Sequence, residues 1–199
     1  MCLVQSMKMK LIHPLILASS SPRRQQLLHD AGLSFKVMPA DVDESISEGL
    51  SPIQAAIDLA ERKSLQFHRE AETSIIITAD TLVVVDDHIL GKPGSDHEAW
   101  KMLHLLSGRS HEVITAVQIR YQSSTDMLTS VSRVTFHPLS NETIEYYVQH
   151  FCPFDKAGAY AIQEWIGLVG VASIKGSYYN VVGLPVDLVV KALARYKQS

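Results

Sequence analysis

Short, wholly apolar runs alternate along this chain with stretches in which apolar residues recur every third or fourth position. Pro14-Leu15-Ile16-Leu17-Ala18 reads as a buried strand. Gln25 to Ala31 puts Leu27, Leu28 and Ala31 on one helical face, with Ser21 as N-cap, Pro22 at the first helical position and Gly32 as the stop. Phe35-Lys36-Val37-Met38 follows, then an acidic loop, Asp41-Val42-Asp43-Glu44. A long helix is expected from Ser51-Pro52 to about Arg69. Isoleucines 75–77 form a strand and Leu82 to Val85 a second apolar run, with Thr78-Ala79-Asp80-Thr81 between them. Asp86-Asp87-His88 turns the chain back through Ile89-Leu90 to Gly91-Lys92-Pro93. The capping box Ser95-x-x-Glu98 opens a helix with Ala99, Met102, Leu103 and Leu106 inward, ended by Gly108. Glu112 to Tyr121 and Met127 to Phe136 are rich in β-formers, and a helix begins near Ser140-Asn141-Glu142. The loop Asp155 to Tyr160 is expected to lead into more strand, and Gly183-Leu184-Pro185 to introduce a last helix to about Tyr196. Early alternation of strand and helix with later hairpins predicts an α/β fold, a mixed central sheet flanked by helices. Residues 1–10 read as an N-terminal extension, with Met7 and Met9 as alternative starts, and 11–199 as a single domain.

Composition narrows the function classes. With 199 residues the chain can bury a real core, and 46% apolar with 20% charged residues is an ordinary globular balance. A net charge of −3 and a pI near 6.3 argue against a nucleic-acid surface, so any cationic site is local and suits a small anion. Cys2 and Cys152 form no disulfide framework, which fits a reducing compartment and a cytoplasmic protein. The nine histidines show neither His-x-His nor His-Glu-x-x-His spacing, and no zinc site is expected. Lys8 and Lys10 before the apolar stretch faintly resemble a signal peptide, but His13 and Pro14 interrupt it and it runs straight into a Ser/Arg loop. No apolar run reaches the ~20 residues of a membrane span.

Several charged residues break the pattern. Arg23 and Arg24 occupy a first helical turn, where unpaired N–H groups favour Asp or Glu. Behind Ser19-Ser20-Ser21-Pro22 they form a stack that a polyanion would need, or else two solvated arginines on a turn. Asp80, between apolar runs, requires a cation if buried: a metal, a lysine or an arginine. The alternative is a structural Asp capping a turn. Lys63 is in line with Ala56, Leu59 and Phe67, and either snorkels or reaches a buried carboxylate or a phosphate. Lys92 is not a P-loop lysine, because Asp86 and Pro93 stand where the template needs Gly and Ser/Thr. Glu44 is either solvated or, opposite a triphosphate, a ligand for Mg²⁺.

Taken together, Leu17-Ala18-Ser19-Ser20-Ser21-Pro22-Arg23-Arg24, Asp43-Glu44, Ala60-Glu61-Arg62-Lys63, Ala79-Asp80-Thr81, Gly91-Lys92-Pro93, Leu106-Ser107-Gly108 with His111, Asp155 to Tyr160 with Ile162-Gln163, and Asn180 to Pro185 resemble the Maf family of nucleoside triphosphate pyrophosphatases. The likeness runs from Leu15 to about Leu193. It implies two lobes around a nucleotide-binding cleft, usually in a homodimer, and hydrolysis of a nucleoside triphosphate to the monophosphate and pyrophosphate with Mg²⁺ or Mn²⁺. The Asp155 to Gln163 stretch is similar to the branch acting on dTTP and UTP rather than that associated with 7-methyl-GTP. On this resemblance Asp80 is the general base and a metal ligand with Glu44. Ser19, Arg23, Arg24, Lys63 and Lys92 contact phosphate or serve catalysis, and Thr81 and Gln163 select the base. The chain departs from the family pattern at Asp86-Asp87-His88, where Gly is common, at Cys152, and at Glu164-Trp165 beside the presumed base contact. That last departure bears on base preference more than on the reaction. Modified pyrimidine nucleotides fit the same site, and a nucleotide-binding regulator of cell division is the reading from another class. A pure binder, however, has little use for two carboxylates in a cationic cleft.

Overall fold

Thr78 to Thr81 do not separate two strands. In the computed structural model, which describes residues 9–198, they lie inside one strand of eleven residues, β3 (Ile75–Val85). Alternation explains why polar residues are tolerated there, since side chains i and i+2 share a face. Ile76, Leu82 and Val84 face one side, and Thr78 on that side donates its hydroxyl to the Ala60 carbonyl at 2.8 Å. That side is covered by α2 (Pro52–Leu65), whose Ala55, Ala56, Leu59 and Ala60 pack on Leu82 and Val84.

The opposite side of β3 carries two separate cores. Ile75, Ile77 and Ala79 pack with Leu15 and Leu17 of β1 (Leu15–Leu17), Leu28 of α1 (Pro22–Asp30) and Val189 and Leu193 of α7 (Val186–Leu193). Val83 and Val85 pack with Leu103 and Leu106 of α3 (Asp96–Leu106) and Ile144, Tyr147 and Val148 of α4 (Asn141–Phe151). Thr81 lies between them, so the two lobes part at this residue.

The sheet has the order β2-β1-β3-β5-β6-β7, with β2 at Lys36–Val37, β5 at Ser110–Tyr121, β6 at Ser124–Phe136 and β7 at Val171–Lys175. β1 pairs parallel with β2 and β3, while β3, β5, β6 and β7 pair antiparallel in sequence. β4 (His88–Leu90) folds back on Val83–Val85 through the expected turn. Asp86 and Asp87 there have φ of 45° and 65°, the left-handed pair that a two-residue hairpin requires and that Asp tolerates better than most residues. One consequence governs the rest of the molecule. On the same edge of β3, β1 covers residues 75–77 and β4 covers 83–85, so the segment between them has no strand neighbour on that edge.

Several expected boundaries shift. The helix at Ser51 carries a full capping box with Gln54 but ends at Leu65, because the chain turns there to bury Phe67 against Ile16 and Ile76. In α3, Ser95 caps Glu98, whereas the Glu98 carboxylate accepts from Gly94 rather than from Ser95. The strand expected directly after Tyr160 begins only at Val171. A turn and the short helix α5 (Trp165–Gly170) intervene, followed after β7 by α6 (Tyr178–Val182). Residues 1–8 of the expected extension lie outside the described residues. Met9 packs against the core around Leu15, and the Lys10 carbonyl accepts from the Gln198 N–H at 2.8 Å. No helix among the described residues is long and apolar enough to cross a membrane.

Candidate active site

The uncovered stretch of β3 forms the floor of a cleft of about 580 Å³. All nine residues expected at the site line it: Ser19, Arg23, Arg24, Glu44, Lys63, Asp80, Thr81, Lys92 and, at the rim, Gln163. Their arrangement follows from the pleat. Asp80 points to the α2 side and Thr81 to the gap between the lobes.

Asp80 is 8% exposed, and its cation is Lys63, whose Nζ lies 2.5 Å from Asp80 Oδ1. The helical stripe that carries Ala56 and Leu59 onto the sheet carries Lys63 to the one carboxylate on that face. The same ammonium donates to Glu44 Oε1 at 2.8 Å, and Lys92 donates to Glu44 Oε2 at 2.7 Å. Burial works to raise the Glu44 pKa, but the hydrogen bonds and charges of the two lysines outweigh it and hold this carboxyl at about 2. Glu44 belongs to a stretch without regular structure, gripped from outside by α2. Arg62 donates to the Asp43 and Ser45 carbonyls at 2.6 Å each, on either side of Glu44, and Gln66 pairs with the Asp41 backbone. Neither grip was visible in the sequence, because a backbone carbonyl acceptor leaves no signature there.

The two arginines divide their work. Ser21 caps α1 by accepting from the Arg24 N–H, which sets both guanidiniums at the cleft wall. Arg24 donates Nε to the Gly183 carbonyl at 2.9 Å, Nη1 to Ser19 Oγ at 3.3 Å and Nη2 to Thr81 Oγ1 at 3.0 Å. Burial draws its pKa below the ordinary value, with Asp80 opposing that trend. Three of its five N–H groups are thus committed to protein, tying α1 to β3 and to the turn before α7. Arg23 reaches the other lobe, where Nη1 lies 2.7 Å from Asp155 Oδ2. Lys156, buried beside it, donates to Asp155 Oδ1 at 2.7 Å. Burial tends to raise the Asp155 pKa, but Lys156 and Arg23 bring it down to about 2. Lys156 lies inside the Asp155 to Tyr160 stretch, and nothing local in the sequence marks it as buried.

Behind the cleft wall, His111 is 2% exposed and its Nε2 lies 2.7 Å from the Tyr160 hydroxyl. Burial draws the imidazole pKa down to about 4. Between that value and the ordinary 6.5 the unfolded chain binds the proton and the native protein does not. Stability is therefore expected to fall as the pH is lowered from about 6.5 to about 4, by up to roughly 3 kcal/mol. Urea unfolding across this window, with an NMR titration showing the His111 ring still neutral at about pH 5, checks the assignment.

The donor set is hard. Among the described residues no group of three or more His, Cys, Asp or Glu could hold a metal. Glu44 and Asp80, which share the Lys63 ammonium, are two hard carboxylate donors that could hold a divalent cation. Fold and cleft thus define an α/β protein with a cluster of cationic side chains around a buried carboxylate. Residues 14–196 match the model of the Maf-like protein family. The chain is 47% identical over 188 residues to a Christiangramia forsetii protein, covering 94% of this chain and 96% of that one. It is 42% identical over 192 residues to a Porphyromonas gingivalis protein, again covering 94% and 96%. A Cytophaga hutchinsonii protein is 44% identical over 181 residues, covering 91% and 83%. All three relatives are named dTTP/UTP pyrophosphatase. The chain belongs to the Maf family.

Proposed function

We propose that the chain hydrolyses dTTP, UTP and related modified pyrimidine nucleoside triphosphates to the monophosphate and pyrophosphate, a housecleaning activity. The observation that carries this reading is the carboxylate of Asp80 at the uncovered edge of β3, flanked by Lys63 and facing Arg23, Arg24 and Lys92 across one cleft. The names of the relatives agree with it.

In this reading Lys63 fixes Asp80 through Oδ1 and leaves Oδ2 to orient a water in line with the scissile bond and accept its proton. Lys92 exchanges Glu44 for phosphate oxygens, Arg23 keeps Nη1 on Asp155 and offers its remaining N–H groups, and the two uncommitted N–H groups of Arg24 add to them. Glu44 and Asp80 would hold Mg²⁺ or Mn²⁺, which supplies charge neutralisation and a more acidic water. Once Lys92 turns from Glu44 to phosphate, a divalent cation would also offset the repulsion that this carboxylate exerts on a triphosphate. Gln163 would read O4 of uracil or thymine with its amide N–H and N3–H with its amide oxygen, and refuse the amino group of cytosine as long as that orientation is held. The same reading treats residues 11–199 as one catalytic unit and the protein as a cytoplasmic homodimer.

The test is pyrophosphate release from a panel of nucleoside triphosphates, with Mg²⁺ or Mn²⁺ and with EDTA. Metal-dependent release from dTTP and UTP, weak on CTP and GTP, is the expected result. Release confined to 7-methyl-GTP would overturn the base assignment. Binding without release would put a nucleotide-binding regulator in the enzyme's place.

A further inference from the structure

Gln163 is exposed at the rim of the cleft, and among the described residues its side chain makes no hydrogen bond to protein. A base-reading amide needs a fixed aim, so its backbone must be set by its neighbours. They form a continuous polar chain. The Ala161 N–H donates to the Tyr147 hydroxyl at 3.1 Å, and that hydroxyl donates to Glu164 Oε2. Glu164 Oε1 lies 3.4 Å from Lys156 Nζ, which donates to Asp155 Oδ1, while Asp155 Oδ2 accepts from Arg23 Nη1. Tyr147 is wholly buried and Lys156 is 7% exposed, so both groups depend on these partners for their burial. Close packing closes the segment from the other end. A Cβ on Gly167 of α5 would lie 1.8 Å from the Ile162 carbonyl oxygen, so only glycine lets the helix press on the residue before Gln163.

We infer that Glu164 is a positioning residue for base selection. Held by Tyr147 and Lys156, it sets the backbone of Gln163, and Asp155 links that setting to Arg23 on the phosphate side of the cleft. Base reading and triphosphate engagement are thereby coupled through one ion-pair chain, which spans both lobes. The inference rests on the pyrophosphatase reading above. It also gives a role to a Glu-Trp dipeptide that stands where the family commonly has small residues. An unlocked Gln163 can still meet a base, but it samples misaligned poses and loses most where discrimination depends on a matched donor and acceptor.

The experiment compares steady-state kinetics of the full chain with dTTP and dCTP for the wild type, Glu164→Gln and Tyr147→Phe. The second variant removes one hydroxyl and keeps the buried ring, so it decides the question if the first does not fold. In both, the ratio of kcat/KM for dTTP over dCTP is expected to fall about tenfold, mainly through a higher KM for dTTP, with kcat changed less than about threefold. Lys156→Arg is expected to retain the ratio and Lys156→Met to lose it. A purely structural role would lower both substrates equally, so a ratio within about twofold of wild type in folded Tyr147→Phe overturns the inference. A wild-type protein that releases no pyrophosphate from dTTP would overturn the pyrophosphatase reading itself.

Discussion

Asp80→Asn is expected to lower turnover by about 10²- to 10⁴-fold while leaving the fold and nucleotide binding intact. Asparagine has the same shape, so it fits the same pocket on the α2 face and can still accept from Lys63 through its amide oxygen. Its NH2 group stands where the second carboxylate oxygen was and cannot take a proton from water. The substitution also removes one of the two carboxylate charges at this end of the cleft. Folding is checked by thermal melting, binding by calorimetry with dTTP and EDTA, and rate by pyrophosphate release. A near-wild-type rate would remove Asp80 from the chemistry, and a loss of nucleotide binding equal to the loss of rate would make it a binding group instead.

Lys63→Met has the second large expected effect, and it falls on stability as well as rate. The Met stem still fills the stripe beside Leu59, but Asp80 is left 8% exposed with no cation in contact. Removing one partner of a buried ion pair costs about 3–5 kcal/mol, because the remaining charge keeps its desolvation penalty. Glu44 loses one of its two lysines and retains Lys92. On the proposed mechanism turnover is expected to fall at least ~10²-fold, since Asp80 would lose its orientation and the phosphates a counter-charge. Urea unfolding at neutral pH measures the first effect. A variant as stable as wild type would mean that solvent, not Lys63, compensates Asp80.

These two residues also mark how far the sequence could be read. The helix behind Ser21 and Pro22, the stripe bearing Lys63 and the turn at Asp86-Asp87 were legible, because capping, 3.6-residue spacing and turn chemistry are local. The demand that Asp80 find a cation was legible too, since a carboxylate between apolar runs has few ways to exist. That the cation is Lys63 is tertiary: it depends on α2 crossing the one face of β3 to which both side chains point. Splitting β3 in two at Thr78 had a physical cause. A polar tetrapeptide usually ends a buried run, and only the pairing of Ile76–Val84 with β5 shows the chain continuing straight through it. The expected strand after Tyr160 failed for a related reason, since Trp165 to Gly170 is apolar enough for either state and only its close contact with the Ile162 carbonyl reveals the helix. The grips of Arg62 and Arg24 were the least legible, because their acceptors are backbone carbonyls and hydroxyls, which carry no charge to mark them in the sequence.

The most direct measurement is the identity of the products formed from dTTP, followed by ³¹P NMR with Mg²⁺ present. One signal for dTMP and one for pyrophosphate, growing together and absent with Asp80→Asn, is the expected result. Formation of dTDP and inorganic phosphate would contradict attack between the α- and β-phosphates, and with it the roles assigned to this cleft.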